Sequence, residues 1–507
     1  MKTKTVLSCV AALACVLCSA KPKYVTYERF GAVGDGFHDD QHAIVRAHEA
    51  ANKWNVPVRA GKGKTYYIGP GPEVAVIRTD VDFGDARFII DDVGCEDFRA
   101  PVFSVESSYK PQRLRGVRSL VRGQDNLGVS LRHRSLVMVK DSTRRVFIRK
   151  GNNQNDGTPK QEVFIAAVDG TIEQDPGLIW DYDKISAIVA YPVDEELLTI
   201  KGGTFVTIAN QVNEGYRYFC RNLQIKRSNV RVEGLTHLVE GEREDHGAPY
   251  SGFISLTLAS DVTIADCIFT GRRTYSTMGK LGRPVNMGSY DITARSCIRL
   301  SLERCTQTNS IDDKTWWGVF SSNFCKSVSM EDCVLSRFDA HMGVKDISLR
   351  HCTFGHQGVQ AVGFGTMLIE GCEVRRNTLV SLRPDYGSFW DGEVIIRNCT
   401  LRPGARSTSV TVIAGRNNGD HDFGYICGTP RKIRIEGLVI DDGRIGSRKY
   451  PGPAVFSDYG RDATAAGLEP FVAQGEVTVR DVTVTGGKAL RPSDNPPLFE
   501  GYSFTVE

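Results

Sequence analysis

Side chains that could do chemistry concentrate between residues 309 and 346, in the stretch NSIDDKTWWGVFSSNFCKSVSMEDCVLSRFDAHMGVKD. The set combines carboxylates, adjacent indole rings, an imidazole and cations, namely Asp312, Asp313, Asp339, Trp316, Trp317, His341, Arg337 and Lys314. An imidazole or a carboxylate can move protons, a guanidinium can neutralise an anion, and an exposed ring beside polar groups suits the apolar face of a sugar. We therefore interpret this stretch as a candidate active site.

A sequence repeat surrounds these residues and determines which of them are neighbours. Each repeat unit spans eight residues. Positions 1, 3 and 8 are apolar, positions 4 and 5 are polar or small, position 6 is small or a thiol, and positions 2 and 7 are spacers. The clear copies are VTIADCIF from Val262, VSMEDCVL from Val328, ISLRHCTF from Ile347, MLIEGCEV from Met367 and VIIRNCTL from Val394, with looser copies from Leu198, Val230, Leu300, Ile433 and Val477. Their starts lie 19 to 44 residues apart, which is too irregular for helical repeats and favours a solenoid of short β-strands.

Residues 24–68 differ in character from the repeat. Their pattern predicts strand, glycine turn, helix, strand and strand, and Asp39 or Asp40 can cap a helix that begins near Gln41. The apolar side of this helix is formed by Ala43, Ile44, Ala47 and Ala51. Because the open end of a solenoid exposes its core, we expect the helix to cover that end.

The opening of this segment, FGAVGDG followed by a DD pair and the helix, resembles the N-terminal signature of the pectin-lyase-like superfamily. The resemblance implies an all-β fold, a single-stranded right-handed parallel β-helix with an N-terminal capping α-helix, over residues 21–507. Residues 24–68 would form the cap, and residues 404–473, rich in Gly, Arg and Asp, are predicted to be a long insertion. We find no sequence signal for a second domain with a core of its own.

The first 20 residues have the organisation of a signal peptide, with a basic start, an apolar run over residues 6–17 and small residues up to Ala20. We expect cleavage after Ala20 and export to the periplasm, the cell surface or the medium. Lipid attachment through Cys15 or Cys18 is the second interpretation. The apolar run is too short to cross a membrane, so we expect no transmembrane segment.

Eleven of the 14 cysteines follow the predicted signal peptide, and an odd number cannot all pair within one chain. Six of them occupy the same position in successive repeat units: Cys267, Cys305, Cys333, Cys352, Cys372 and Cys399. We predict that they point inward as a ladder of small buried residues. Free thiols are favoured over disulfides, and beyond residue 20 the spacing lacks the CxxC or Cys/His pattern of a zinc site.

Aligning the repeat on these cysteines places further side chains at equal offsets. Four residues after the cysteine come Asn309, Arg337, His356 and Arg376, and eight residues after it come Tyr275, Asp313, His341 and Gln360. Neighbouring strands of a parallel sheet lie ~4.8 Å apart. The alignment therefore predicts that each set lies side by side, with Asp313 one coil before His341.

Two chemistries fit a polymer laid along such coils. A lyase that removes the proton α to a uronate carboxylate needs a base, an acid for the leaving oxygen, and a cation or amide on the carboxylate. A hydrolase needs two carboxyl groups that flank the glycosidic bond. In the lyase interpretation, His341 beside Asp313 is the base, Tyr290 or Tyr275 is the acid, and the carboxylate is bound by Arg337, Lys314 and Asn309.

The remaining candidates are assigned to substrate contacts: Asp312, Trp316, Trp317, Asp339, His356, Arg376 and Tyr275. The three aspartates could instead orient the catalytic bases or hold a calcium ion, the one cofactor that this residue set suggests. Each residue also has a structural interpretation, since adjacent aspartates are common in turns, tryptophans pack under loops, and a surface ion pair contributes little. The occurrence of all these candidate residues close together favours a functional site over the structural interpretations.

NSIDD followed by GHQG resembles a fragment of the polygalacturonase pattern, but the spacing from Asp313 to His356 is too long and no R-x-K occurs. Other hydrolases using Asp312, Asp313 and Asp339, and a non-catalytic carbohydrate-binding β-helix, remain as alternatives. The net charge of +3 gives no general argument for nucleic acid as a partner. We predict a secreted, monomeric polysaccharide lyase that cleaves an acidic, uronate-containing polymer, glycosaminoglycan or pectin-like, by β-elimination.

Overall fold

The computed structural model describes residues 21–95, 97–150, 154–212, 217–244, 247–279 and 281–507. The predicted signal peptide, residues 1–20, lies outside the described residues. Much of the described chain winds into one stack of coils, in which strands pair in parallel with strands one coil away. The predicted parallel β-helix is therefore confirmed.

The stack contains 33 strands of the described residues. They are Val25–Thr26, Asp35–Asp39, Val58–Arg59, Thr65–Ile68, Ala75–Ile77, Val81–Asp91, Phe103–Val105, Leu198–Ile208, Leu223–Ile225, Val230–Glu233, Thr236–Glu240, Ser251–Thr257, Ser260–Ala265, Ile268–Phe269, Tyr290–Arg295, Ile298–Glu303, Thr306–Gln307, Phe320–Asn323, Lys326–Glu331, Val334–Arg350, Thr353–Glu370, Glu373–Val374, Thr378–Leu382, Trp390–Arg397, Thr400–Leu401, Thr411–Ala414, Lys432–Glu436, Val439–Ile440, Ala454–Phe456, Gln474–Arg480, Thr483–Val484, Arg491–Ser493 and Gly501–Val506.

Smaller elements accompany the stack. An antiparallel sheet is built from Gln112–Arg113, Ser135–Val146, Thr158–Ala166 and Ala187–Pro192; a hairpin from Tyr275–Met278 and Pro284–Met287; and a parallel pair from Cys427–Gly428 and Phe471–Val472. The helices are the α-helix Gln41–Trp54 and the 3-10 turns Glu28–Phe30, Pro384–Tyr386 and Pro496–Phe499. None of these described helices has the length and apolar character required to cross a membrane.

The repeat seen in the sequence corresponds to one column of paired residues. The column runs through Leu198, Val230, Val262, Leu300, Val328, Ile347, Met367, Val394, Ile433 and Val477, each the Cα partner of the next. All ten predicted repeat starts therefore share one register. Their side chains are buried, because alternate residues of a strand point to the same face and this face is the interior of the stack.

The predicted cysteine ladder is also confirmed. All six ladder cysteines are buried and free, and the N–H groups of Cys305, Cys333 and Cys352 each donate to the Sγ of the next cysteine at 3.4 Å. The residue before each ladder cysteine has a positive φ; these residues are Asp266, Arg304, Asp332, His351, Gly371 and Asn398. The positive φ turns the chain at each corner, and a small thiol fills the space inside it.

The predicted N-terminal helix covers one end of the stack. Its four apolar residues, Ala43, Ile44, Ala47 and Ala51, belong to the same buried cluster as the first coils. Asp39 Oδ1 accepts the N–H of Gln41 at 3.0 Å, whereas Asp40 accepts the N–H groups of Val33 and Gly34 in the preceding turn. Of the two predicted caps, Asp39 therefore bonds to the helix.

One expectation is wrong, because the chain does contain a second unit with its own core. Residues 112–192, which we call the side domain, leave the stack and form the antiparallel sheet. A separate apolar cluster that includes Leu120, Phe164 and Tyr182 fills it. Antiparallel strands do not need the cysteine-containing corner of the repeat, so the sequence pattern gave no sign of this unit.

A buried ion pair fixes the side domain to the stack. Lys326 Nζ in the stack lies 2.6 Å from Glu162 Oε2 in the side domain and donates to the carbonyl of Gly177 at 2.8 Å. Glu162 also accepts the N–H groups of Ile179 and Trp180. Separation of the two units would leave both charges without partners, and isolated buried charges are strongly unfavourable.

Residues 404–473 are part of the stack, so the prediction of a long insertion is wrong. Their strands Thr411–Ala414, Lys432–Glu436 and Ala454–Phe456 pair with strands of the neighbouring coils. Long connections separate these strands, so the sequence shows a single loose repeat copy in this range, the one from Ile433.

Candidate active site

A groove of about 670 Å³ lies on the stack beside the side domain. The strand Tyr290–Arg295 contributes to its wall, and Asn323, His341 and Arg383 from later coils line it as well. The side domain adds Arg149. We call this cavity the main groove.

His341 reaches the main groove because it lies at an irregularity in the strand Val334–Arg350. The pairing of this strand with the preceding coil skips His341, and such bulges turn a side chain out of the regular alternation. Nδ1 of His341 lies 2.8 Å from Oδ1 of Asn323, and Nε2 lies 3.5 Å from the hydroxyl of Tyr386. The imidazole is therefore held on one nitrogen by an amide.

Burial and the cation of Arg383 lower the pKa of His341 to about 3, and two nearby carboxylates act in the opposite direction without compensating. His341 is therefore neutral near pH 7. Because an amide oxygen accepts a hydrogen bond, we assign the proton to Nδ1 and the lone pair to Nε2, where it accepts the hydroxyl of Tyr386 at 3.5 Å. The predicted pairing with Asp313 is wrong: Asn323 holds the ring, and its environment disfavours the protonated form.

Asp339 is fully buried beneath the main groove, between two arginines. Its carboxylate lies 2.7 Å from Nη2 of Arg337 and 2.9 Å from Nη1 of Arg383, and it accepts the hydroxyl of Tyr290 at 3.1 Å. Burial raises the pKa of Asp339, but the two guanidinium groups outweigh burial and hold it below its usual value. Asp339 is therefore ionised near pH 7 and cannot serve there as a proton donor.

Tyr290 connects this buried network to the groove. Its hydroxyl accepts a hydrogen bond from Nη1 of Arg337 at 3.2 Å, and its ring meets that of Trp317 edge-on at 6.3 Å between centroids. Burial raises the pKa of Tyr290, so the phenol keeps its proton near pH 7. Arg337 is 2% exposed and lies below the lining, where it positions Tyr290 instead of meeting a substrate carboxylate as predicted.

Ion pairs continue from this network into the side domain. Arg383 Nη2 lies 2.8 Å from Asp385 Oδ2, and Arg149 of the side domain pairs with the same carboxylate. Although burial raises the pKa of Asp385, the two arginines lower it below its usual value. The side domain is thus coupled electrostatically to the groove.

Arg295 is an exposed cation of the main groove. Within the part of the chain that the structure describes, its side chain has no carboxylate partner. Neutral groups lie around it, among them Asn286, Ser321 and Asn323. No Asp or Glu occurs among the described residues that line the groove. The surface therefore offers cationic and neutral hydrogen-bonding groups, which suits an anionic ligand.

The predicted cluster Asp312, Asp313 and Lys314 lies on an exposed turn and does not line the main groove. Asp313 accepts the N–H of Thr315 at 2.9 Å, and this backbone hydrogen bond lowers its pKa. Asp312 pairs with the exposed Arg375 at 3.0 Å. The structural interpretation of the DD pair, as a turn, is the one that agrees with the structure.

Asn309 and His356 stabilise the same turn. Asn309 exchanges two hydrogen bonds with the backbone of Gly271, both 2.8 Å long. Nδ1 of His356 lies 3.0 Å from the carbonyl oxygen of Ile311. Both side chains were predicted to bind substrate, and both are engaged with the backbone instead.

Arg376 and Tyr275 are engaged elsewhere as well. Arg376 donates from Nη1 to the carbonyl of Gln357 at 2.6 Å, and the hydroxyl of Tyr275 donates to Glu242 at 3.0 Å. Tyr275 lies in the hairpin outside the stack. Of the two predicted acids, only Tyr290 lines the main groove.

The predicted side-by-side alignment fails where strands bulge. Arg337 pairs with Gly358 instead of His356, because the strand Thr353–Glu370 shifts register before pairing resumes. Asp313 lies in a long connection between two strands. Offsets counted from the ladder cysteines therefore hold only as far as the first bulge or long connection.

The three predicted calcium ligands do not converge. Asp339 is enclosed by arginines, whereas Asp312 and Asp313 lie on the exposed turn. Among the described residues, no group of three His, Cys, Asp or Glu side chains is arranged to hold a metal ion.

The two adjacent tryptophans face different cavities. Trp317 lines the main groove, whereas Trp316 lines a second cleft of about 430 Å³. Both rings are half-buried. The pair therefore separates two neighbouring depressions instead of forming one platform.

Sequence reasoning missed Arg149, Arg295, Asn323, Arg383 and Asp385. A signal existed for two of them, because Arg295 and Asn323 each precede a cysteine by two residues and are direct register partners. Arg383 and Asp385 follow a strand in a 3-10 turn, outside the repeat unit. Arg149 comes from the side domain, so no counting along the repeat could find it.

No protein-family model and no curated protein sequence matches the chain. Solved structures do match. The tailspike gp49 of Pseudomonas phage LKA1 is 17% identical, with a TM-score of 0.54 over 95% of this chain and 84% of that chain. The tailspike gp61 of Pseudomonas phage phi297 is 12% identical, with a TM-score of 0.53 over 91% and 80%.

The gp54 tailspike of Acinetobacter baumannii bacteriophage AP22, in complex with A. baumannii capsular saccharide, is 12% identical, with a TM-score of 0.51 over 95% of this chain and 79% of that chain. These likenesses support the same fold, a right-handed parallel β-helix. At such identities they establish the fold alone.

Proposed function

We propose that the protein is an exported polysaccharide lyase that cleaves a uronate-containing polymer in the main groove by β-elimination. One observation carries the proposal: the described lining of the groove contains imidazole, phenol, amide and guanidinium groups and no carboxylate. Elimination needs a base, an acid and a neutralised substrate carboxylate. Hydrolysis by the usual route needs two carboxyl groups at the scissile bond.

In the proposed reaction, Nε2 of His341 takes the proton from C5 of the uronate. The electrons of the C5–H bond form a C4=C5 double bond, and the C4–O bond breaks with its electron pair on oxygen. That oxygen takes the phenolic proton of Tyr290, whose hydroxyl gives up its hydrogen bond to Asp339, and proton transfer through solvent then restores both side chains. The products are a shortened chain and an unsaturated uronate.

The lowered pKa of His341 suits this role before substrate binds. A neutral imidazole keeps its lone pair free near pH 7, whereas a protonated one could not act as a base. Entry of an anionic uronate beside the ring raises its pKa, because a nearby negative charge favours the imidazolium. Substrate binding would thus strengthen the base at the step that needs it.

Arg295 and Asn323 are proposed to bind the uronate carboxylate. They are direct partners across adjacent strands, and Asn323 also holds His341. A guanidinium and an amide on that carboxylate stabilise the negative charge that develops when the α-proton leaves. In this proposal Asn323 both contacts the substrate carboxylate and orients the base.

The fold-level comparisons are compatible with a polysaccharide substrate outside the cell. One tailspike of similar fold is described in complex with a capsular saccharide, and the first 20 residues of this chain predict export. We retain the monomer as the proposed state.

Hydrolysis is the second candidate, because carboxyl groups line the second cleft. Burial raises the pKa of Glu242, as a general acid requires, and the exposed Glu240 precedes it by two residues. However, Glu242 already accepts the hydroxyl of Tyr275 and the N–H of Arg273, both at 3.0 Å. These contacts favour a structural role for Glu242.

The proposal is tested by incubating the purified protein with polygalacturonate, alginate, hyaluronan and chondroitin sulfate. Elimination produces near-ultraviolet absorbance in step with new reducing ends, since the new double bond is conjugated to the carboxylate. Reducing ends without absorbance mean hydrolysis. Loss of that activity in Glu242→Gln, with retention in His341→Ala, would place the reaction in the second cleft.

A further inference from the structure

The second cleft lies directly behind one wall of the main groove. Its lining includes Trp316, Arg273 and Glu242, while the next residue in the chain, Trp317, lines the main groove. The N–H of Trp317 donates to the carbonyl of Arg272 at 2.7 Å, and Trp316 forms a β-bridge with Arg273. Two short segments thus pair to form the wall between the cavities.

A single buried side chain spans this wall. The guanidinium carbon of Arg272 lies 3.8 Å from the ring centroid of Tyr250, which lines the main groove. Nη1 of Arg272 lies 3.9 Å from Glu242, which lines the second cleft, and its Nε lies 3.5 Å from the buried Asp291. Arg272 therefore lies against one lining residue of each cavity, and its charge is balanced by carboxylates within the wall.

Trp316 and Arg273 bring an indole and a guanidinium to the second cleft, whose lining also includes the carboxylates of Glu240 and Glu242. Trp316 and Arg273 are half-buried, and the guanidinium of Arg273 lies 5.4 Å from the ring centroid of Trp316. As far as the structure describes the chain, Arg273 has no carboxylate partner. An indole packs against the apolar face of a sugar ring, and an available guanidinium binds a carboxylate with two hydrogen bonds.

We propose that the second cleft is a remote subsite for the same polymer, which continues from the main groove over the wall onto Trp316 and Arg273. The inference rests on the proposed function for its substrate class. Contacts at a distance from the cleaved bond act mainly on binding. The chain would therefore favour long substrates and cut within them, because an oligosaccharide that fills only the main groove leaves the second cleft empty.

The test compares Trp316→Ala with Trp54→Ala, which removes an exposed tryptophan of the N-terminal helix. For each protein, KM and kcat are measured on a cleaved uronate polymer and on its tetrasaccharide, and affinity electrophoresis in gels containing that polymer measures binding without catalysis. We expect Trp316→Ala to raise KM for the polymer about tenfold, as loss of an aromatic anchor typically does. Its kcat and its KM for the tetrasaccharide should match wild type.

The outcomes separate this inference from the proposed function. Cleavage of polymer with equal KM in both variants overturns the remote subsite and leaves the lyase proposal standing. Retardation of the wild type that is lost in Trp316→Ala, without any cleavage, supports the subsite and rejects the lyase. If no polymer of the panel is bound or cleaved, both proposals are rejected.

Discussion

The main groove and the turn at residues 311–316 use the same kinds of side chains in opposite ways. In the groove region the carboxylate of Asp339 is buried against arginines, and the exposed cation Arg295 has no carboxylate partner in the described chain. At the turn the carboxylate of Asp312 is exposed and the cation Arg375 is paired with it. The groove therefore offers a positive charge to an anionic ligand, whereas the charges at the turn pair with each other.

The histidines of the two regions show the same contrast. His341 lines the groove in a setting that lowers its pKa to about 3, whereas His356 uses Nδ1 to hold the carbonyl oxygen of Ile311. In the sequence, the groove residues and the turn residues were equally dense in side chains that can do chemistry, so both were predicted to belong to the site. What separates them is desolvation and the identity of each partner, and both depend on tertiary contacts.

The largest expected difference lies between His341→Ala and His356→Ala. Removing the proposed base should lower kcat about 100- to 10,000-fold, the usual worth of general-base catalysis. His356→Ala should leave kcat near wild type, because its ring bonds only to the turn. Turnover is followed by near-ultraviolet absorbance, with thermal unfolding as the control for folding. Comparable losses in the two variants would remove the distinction between the regions.

Asp339→Asn and Asp312→Asn compare a buried with an exposed carboxylate. Asp339→Asn should lower the free energy of unfolding by about 3 to 5 kcal/mol, because it leaves buried guanidinium charge uncompensated. Asp312→Asn should cost about 0 to 1 kcal/mol, as exposed pairs do. Urea denaturation measures both. A small effect at Asp339 would mean that the network beneath the groove does not depend on its charge.

Arg295→Ala and Arg375→Ala compare an available cation with a paired one. Loss of a charged hydrogen bond to the uronate should lower kcat/KM for Arg295→Ala about 10- to 100-fold. Arg375→Ala should change kcat/KM less than about twofold, because that pair is exposed and weak. Equal activity of the two variants would show that the substrate carboxylate is bound elsewhere.

The smallest expected change is in the pH profile. The active form of His341 is neutral, and its pKa of about 3 in the free protein keeps it neutral at pH 5. Titration of His341 should therefore lower kcat/KM less than about twofold between pH 7 and pH 5, whereas a histidine of ordinary pKa, ~6.5, would lower it about 25-fold. A midpoint near 6.5 in kcat/KM would show that His341 is not held in the neutral form.

Acid should also lower the stability of the folded protein, which urea denaturation at each pH measures. The unfolded chain binds a proton at His341 below pH ~6.5, and the folded chain does not. The same holds for His48, whose pKa burial lowers to about 3. The free energy of unfolding should therefore fall as the pH drops below ~6.5.

The fold was largely predictable from the sequence, since the ten repeat starts and the cysteine ladder report a regular interior. Each coil repeats the same requirement for an apolar residue and a small corner residue, so the pattern survives variable connections. The side domain was not predictable in this way, because its antiparallel strands carry no such repeat.

The site was predictable only in part. His341, Tyr290 and Trp317 do line the main groove, but their partners come from other coils and from the side domain. Bulges at His341 and before Gly358 shift the strand register, so residues at equal distances from the ladder cysteines are no longer neighbours. No sequence signal placed Arg149 beside Asp385. Local patterning specifies the regular coils, whereas the departures from regularity that build the groove depend on long-range contacts.

Elimination in the main groove, whose described lining contains no carboxylate, is tested most directly by the mass of the products formed in water enriched in heavy oxygen. Elimination breaks the chain without adding water, so we predict an unsaturated fragment one water lighter than its saturated counterpart, with no heavy oxygen gained at the cleaved bond. His341→Ala should form neither product at the wild-type rate. Saturated fragments that carry one heavy oxygen at the cleaved bond would rule out elimination and show that the protein is a hydrolase.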